Sequence, residues 1–349
     1  MNFSSQLLAW YDLHGRKDLP WQQDPSPYHV WLSEIMLQQT QVSTVIPYYQ
    51  RFTEQYGDLS SLANASIDDV LALWTGLGYY ARARNLHKAA NIIIEQHNGE
   101  MPKDLDDLIS LPGIGRSTAG AIMTLAHHQC FAILDGNVKR VLTRYKRISG
   151  WPGNKKVENK LWLLAEELLP TQRIAHYIQA QMDLGATVCT RSKPKCNICP
   201  LQAGCQAFQH DIPQNYPESK PKKIIPSRKI NWLILQDEDE KVLLQQRPNS
   251  GIWGGLWSFP EAESLDNITE TCLNNFQTNI AAITAAPSFK HVFTHFKLQV
   301  YPQLISVKKS NGNISENNTA TWYKISDALQ LGLPAPVKSF LQSLAKLRE

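Results

Sequence analysis

Leu111-Pro112-Gly113-Ile114-Gly115-Arg116-Ser117-Thr118-Ala119-Gly120 joins two segments of helical periodicity. Pro112 ends the first, because its ring blocks helix continuation. Gly113 and Gly115 permit a tight turn and close approach to the backbone. The next helix should start near Ser117 and run through Ala121 and Leu125. Its first turn offers free N–H groups and a positive dipole end, which suits a phosphate. A Pro-Gly-x-Gly turn alone is more often only a turn, so its meaning depends on its neighbours.

Upstream, the chain reads as helical. Ser66-Ile67-Asp68-Asp69 resembles a capping box opening an apolar-periodic segment. Gly76-Leu77-Gly78 interrupts it, and a second helix runs from Tyr79 toward His97. Asp104 is placed to cap a short helix ending near Pro112. After Asp211 the character changes. Ile212 through Pro226 is rich in proline and lysine and reads as a linker. Beyond it, Ile230–Leu235, Val242–Gln246 and Phe296–Val307 carry β-type apolar runs, and Val337, Phe340, Leu341 and Leu344 mark a closing amphipathic helix. The expected architecture is an all-α domain over residues 1–211, a linker over 212–228 and an α+β domain over 229–349. With 349 residues and 43% hydrophobic content, the chain is long enough for two such cores.

Net charge is +4, compatible with nucleic acid but too weak to demonstrate it. Charge is more informative locally. Lys139, Arg140, Arg144, Lys146 and Arg147 form one basic stretch, and Lys220, Lys222, Lys223, Arg228 and Lys229 form another. The residues Met1 to Ser5 lack the basic start and apolar core of a signal peptide, and no apolar run has the length of a membrane span. The expectation is an intracellular protein without membrane contact, and a monomer.

Cys189, Cys196, Cys199 and Cys205 are spaced C-x6-C-x2-C-x5-C. Four thiolates this close can ligate one compact centre. Zinc usually takes two separated C-x2-C knuckles, whereas one such pair exists here; Pro200 and the tight loop suit a cubane iron–sulfur cluster, with zinc as the rival. Arg191, Lys193 and Lys195 sit inside the first interval. On a braced loop they would form a phosphate-binding edge, and on an unbraced one they would only keep it soluble. Cys130 and Cys272 read as ordinary small apolar residues.

Two carboxylates stand in contrasting settings. Asp135 follows the apolar run Phe131-Ala132-Ile133-Leu134. It or Asn137 is suited to cap the next helix, and a capping carboxylate accepting N–H bonds stays ionised. Glu34 shares a helical face with Trp31 and Leu37; apolar neighbours should desolvate it and favour its protonated form. One carboxyl kept protonated and one kept ionised is what cleaving an N-glycosidic bond requires.

The hairpin, Asp135 and the cysteine loop resemble the endonuclease III superfamily of helix–hairpin–helix DNA glycosylases. Trp31 to Gln41, Gly76 to Arg84 and Ile133 to Arg140 narrow the resemblance to the MutY adenine DNA glycosylases. It runs from near Leu7 to the closing helix. It implies one [4Fe-4S] cluster on the four cysteines, and duplex DNA containing A·8-oxoguanine or A·G mismatches as partner. It implies adenine flipped into a pocket within the helical domain. Glu34 then falls at the general acid that protonates adenine N7 and serves the water step. Asp135 falls at the carboxylate that stabilises the oxocarbenium ion, with a covalent intermediate as one route. Gln39, Leu77 and Tyr79 match residues that fill the gap in the stack and contact 8-oxoguanine. Gln179 and Trp21 match positions near the adenine. Gly113, Gly115 and Ser117 belong to the DNA-binding hairpin. In bifunctional relatives a lysine stands at the position of Ser117. Serine cannot form the imine, so no lyase activity is expected.

Gly251-Ile252-Trp253-Gly254-Gly255-Leu256-Trp257-Ser258-Phe259-Pro260 is similar to the approach to a Nudix fold. The Arg-Glu and paired-Glu pattern that would hold Mg2+ is missing from Glu261 to Asn267, so this domain should recognise and not hydrolyse. Phe293-Thr294-His295 falls where the family carries a loop detecting 8-oxoguanine, commonly Phe-Ser-His. Three other readings stand beside an adenine glycosylase. They are a pyrimidine-specific glycosylase, a silent mismatch-binding protein and a nucleotide pyrophosphatase. Ser117, the paired Glu34 and Asp135, and the missing glutamates count against them in turn.

Overall fold

The computed structural model describes residues 2–221, 225–309 and 320–346. Lys222 and Lys223 of the second basic stretch lie outside them. The chain forms two compact units, residues 1–64 with 85–222, and residues 65–84 with 223–349.

The first unit is helical. The helix Phe3–His14, capped by Asn2, buries Phe3, Leu7, Trp10 and Tyr11. These join Tyr177, Ile178 and Leu184 of the helix Ile174–Thr187 and Val138, Val141 and Leu142 of the helix Gly136–Tyr145 in one core. The helix Pro27–Leu37 packs against Arg116–Leu125 and Val42–Gln55. The helix Leu105–Ser110 starts at Asp104, whose side chain accepts from the backbone N–H groups of Asp106 and Asp107. Gly113 has φ of +82° and turns the chain into Arg116–Leu125, where an L side chain would be strained. Gly115 has ordinary φ and open space around its Cβ position. Neither its backbone conformation nor its packing within the chain requires a glycine.

The second unit is built on a mixed eight-stranded sheet. Its main path runs β3 (Trp257–Ser258), β2 (Val242–Gln246), β1 (Ser227–Gln236), β7 (Lys297–Lys309), β5 (Thr278–Ala285). The pieces β4 (Glu261–Ala262), β6 (Phe289–Val292) and β8 (Ala320–Tyr323) pair with β1, β7 and β2. The β1–β7 pair is parallel, with Ile230 opposite Val300 and Leu235 opposite Ile305; the others are antiparallel. Trp232 to Leu235 are fully buried because both faces of the sheet are covered. Cys272 and Phe276 of the helix Ile268–Phe276 pack on Leu233, Leu235, Ile305 and Val307. On the other face Trp232 meets Phe259, which meets Phe340 of the helix Ala335–Lys346. Residues 65–84 group with this unit, and Ser66 caps the helix Ile67–Trp74 by accepting from Asp69 N.

The first basic stretch does not stay on the surface as a block. Lys146 and Arg147 are exposed, but Arg144 is only 2% exposed. Its guanidinium donates to the carbonyls of Cys189, Thr190, Arg191, Pro213 and Tyr216. It thereby ties the cysteine loop, and the start of the proline-rich segment, to the helix Gly136–Tyr145. Cys130, read as a small apolar residue, is exposed because it lies on the turn after Arg116–Leu125 has ended. Removing Arg144 leaves several part-buried carbonyls without this donor, each costing up to about 1–3 kcal/mol. Arg144→Met is expected to lose more than about 3 kcal/mol of stability, read by denaturant unfolding with Arg147→Met as the exposed control.

Candidate active site

Glu34 and Asp135 line one cleft of about 870 Å3 in the first unit. Glu34 comes from the helix Pro27–Leu37, which Ser26 caps through His29 N. Trp31, Leu32, Ile35 and Met36 are buried on this helix, which leaves Glu34 and Leu37 on the cleft wall. Burial there, and secondly the charge of Asp135, push the Glu34 carboxyl up to about 8.

Asp135 is the N-cap of the helix Gly136–Tyr145. Its Oδ1 accepts from Val138 N at 2.7 Å and its Oδ2 from Asn137 Nδ2 at 3.1 Å. The sequence favours an ionised group here. Burial outweighs these bonds and raises the Asp135 carboxyl above the usual range. Both carboxyls therefore hold their protons more tightly than exposed acids do. Asn137 in turn accepts from Arg140 Nη2 at 2.8 Å, and Arg140 Nε donates to Cys189 O at 2.7 Å. A continuous chain of hydrogen bonds thus runs from Asp135 to the cysteine loop. Gly185 makes it possible: a Cβ there would come within 2.5 Å of Asn137 Cβ, and Gly185 O accepts from Arg140 Nη2 at 2.7 Å.

Gln179, Arg16 and Trp21 also line the cleft. Asp183, fully buried, holds two of them: it accepts from Gln179 Nε2 at 2.9 Å and from Arg16 N, Nε and Nη2 at 2.7–2.9 Å. Gln39 lies at the cleft mouth with φ of +58°. Ser117 faces the cleft, and its Oγ accepts from Leu134 N at 3.0 Å. No lysine is among the residues lining the cleft.

The four cysteines line a second, apolar cavity, and Arg144 Nη1 donates to Cys189 Sγ at 3.2 Å. Burial raises the Cys199 thiol to about 12, and burial likewise raises Cys196 and Cys205. Among the described residues no three His, Cys, Asp or Glu side chains form a group that could hold a single metal ion. Arg191, Lys193 and Lys195 are exposed, and Arg191 also reaches the cleft lining.

The remaining sequence-predicted residues fall in the second unit. Leu77 is buried, while Tyr79 is 47% exposed with φ of +50°. Phe293, Thr294 and His295 form the tip between β6 and β7, closed by a bond from Phe293 N to Phe296 O at 2.9 Å. Thr294 and His295 are exposed, and Phe293 packs on Trp253 and Phe296. Arg16, Asn137, Arg140, Arg144 and Asp183 were not singled out for these roles from sequence. Asn137 and the arginines lie in motifs the sequence does mark, but their partners are distant in the chain.

Residues 32–167 match the HhH-GPD superfamily of base excision DNA repair proteins, and residues 231–343 match the NUDIX domain. The chain is 41% identical to the adenine DNA glycosylase of Buchnera aphidicola subsp. Acyrthosiphon pisum (strain APS), across 99% of this chain and 98% of that one. It is 35% identical to the adenine DNA glycosylase of Homo sapiens, across 86% and 66%. A thermostable thymine-DNA glycosylase of known structure aligns with TM-score 0.53 and 28% identity, across 60% and 95%. Endonuclease III in a non-covalent DNA complex aligns with TM-score 0.51 and 22% identity, a likeness of fold, across 60% and 94%. With that identity sustained over nearly its whole length, the chain belongs to the adenine DNA glycosylase family.

Proposed function

We propose that this enzyme hydrolyses the N-glycosidic bond of adenine paired with 8-oxoguanine or guanine in duplex DNA, acting as a monomer. The observation that carries this reading is the meeting of Glu34, held up to about 8, with the helix-capping Asp135 in one cleft. Residues 1–211 would carry the chemistry, 212–228 the connection and 229–349 the recognition of the opposite base.

Adenine leaves the stack at a cost of about a few kcal/mol and enters the cleft. Arg16 and Gln179, whose N–H groups donate to Asp183, line the cleft that would receive it. Glu34 is protonated at neutral pH and delivers its proton to adenine N7. The C1′–N9 bond then breaks, with its electron pair going to the neutral leaving base. Asp135 faces the sugar cation, whose positive charge favours its ionised form. Water adds to C1′ and gives its proton to Glu34. Gly113, Gly115 and the N–H groups opening Arg116–Leu125 would hold phosphate. Gln39, Leu77 and Tyr79 would occupy the vacated stack. Thr294 and His295, exposed at a hairpin tip, would accept the N7–H that distinguishes 8-oxoguanine from guanine.

The four cysteines would hold one [4Fe-4S] cluster, bracing the loop that displays Arg191, Lys193 and Lys195. Four thiols around one apolar cavity, with a single C-x2-C pair among them, suit a cubane better than tetrahedral zinc. Iron and acid-labile sulfide of about four each per chain are expected; one zinc without iron would refute the assignment.

Single-turnover adenine release from an A·8-oxoguanine duplex tests the function. Glu34→Gln is expected to lower it by about 10^2- to 10^4-fold with DNA binding retained. Because the acid works while protonated, the wild-type rate should fall as pH rises through about 8. Equal release by the variant would mean that another group is the acid. Ser117 offers no amine, so borohydride should trap no covalent DNA adduct; substantial trapping would contradict a monofunctional mechanism.

A further inference from the structure

The loop bearing Leu77 and Tyr79 is built on the second unit, the same unit that carries Phe293–His295. Its foot is fastened there at several points. The Tyr80 hydroxyl donates to Leu333 O at 2.9 Å and accepts from Gly76 N at 3.4 Å. Leu333 N donates to Thr75 Oγ1 at 3.4 Å, and Arg84 Nη1 donates to Gly254 O at 2.6 Å. Gln246 Nε2 donates to Asp68 Oδ1 at 2.8 Å. A Cβ on Gly332 would come within 3.0 Å of Leu71 Cβ, so the 332–334 segment lies directly against the helix Ile67–Trp74.

The loop between these anchors is wound tightly. Gly76, Gly78 and Tyr79 all have positive φ, and the last is not glycine. Trp74 Nε1 donates to Gly78 O, and Arg82 Nη2 donates to the carbonyls of Leu77 and Gly78. A backbone in this region keeps its shape only where its surroundings hold it. Tyr80 is 9% exposed, so its hydroxyl makes these bonds away from bulk water.

We propose that Tyr80 and Arg84 are positioning residues for discrimination of the base opposite adenine. They lock the Gly76–Tyr79 loop to the backbone of Leu333 and Gly254. Leu77 and Tyr79 then meet DNA in a geometry fixed relative to the Phe293–His295 tip. The inference rests on the proposed reading that these two loops meet the mismatch.

The test is single-turnover adenine release from A·8-oxoguanine and A·G duplexes by the full chain. Wild type, Tyr80→Phe, Tyr79→Ala and the double variant are compared. The preference ratio of the two substrates is the readout, because any loss of active protein cancels in it. Tyr80→Phe removes both bonds of the hydroxyl, of which the 3.4 Å one is weak, and should lower the ratio by about threefold to tenfold. In the Tyr79→Ala background the same change should have less than about a twofold effect, as coupling through the loop demands. Arg84→Met should repeat the pattern at the second anchor. An unchanged ratio in Tyr80→Phe, or an equal drop in both backgrounds, overturns the proposal. A wild type that releases adenine from both duplexes without preference overturns the reading of these two loops and this inference with it, whereas release from neither overturns the proposed function; both outcomes show themselves before any variant is compared.

Discussion

The bond from Val138 N to Asp135 Oδ1 is the contact on which the helical unit's chemistry depends. It starts the helix Gly136–Tyr145 at the cleft wall. One turn further, Arg140 reaches back to Asn137 and across to Cys189; another turn on, Arg144 gathers the carbonyls of the cysteine loop. The i, i+4 spacing of the two arginines places both on one face. A single helix therefore sets a carboxylate at its start and a basic loop along its flank. Shifting the cap would move all of them together.

The cleft holds its acid at a thermodynamic cost. Glu34 in the folded chain keeps its proton up to about 8, against an ordinary value near 4.5. Protonation thus favours the folded state. The full contribution is present below the unfolded value and is lost as pH rises from about 4.5 to about 8. At neutral pH part of that loss is already incurred. A glutamine would escape it, so stability alone does not account for a glutamate here. The proposed delivery of a proton to a leaving base would account for it.

Local features were legible in the sequence. The Ser66 and Asp104 caps, the Gly113 turn and the placement of Glu34 between apolar neighbours all follow from residues within a few positions. The split between a helical part and a sheet-bearing part follows from a change of periodicity after Asp211. What the sequence did not reveal depends on pairings across the chain. Asp183 reaches Arg16 from 167 residues away, and Arg144 reaches Pro213 from 69. Read along the chain, Arg140 and Arg144 are indistinguishable from exposed Lys146 and Arg147. The raised Asp135 carboxyl was missed for another reason: hydrogen bonds to a cap can be read locally, but the burial that outweighs them cannot. The attachment of residues 65–84 to the sheet-bearing unit leaves no local trace either.

In the sheet-bearing unit an ion pair occupies the stretch where the sequence lacks the Nudix glutamates. Holding Mg2+ needs several carboxylates on one face. Here Glu261 is paired with Arg247, whose Nε also bonds Ile252 O. The helix Ile268–Phe276 carries Glu270 as its one acid. Arg247 lies over the Trp253 ring, and Trp253 packs on His291 and Phe293. The charge of Glu261 is balanced by Arg247, and that arginine lies over the tryptophan behind the Phe293–His295 tip. The Arg247–Glu261 pair and the Arg247–Trp253 contact thus connect β4 to the rings behind the Phe293–His295 tip.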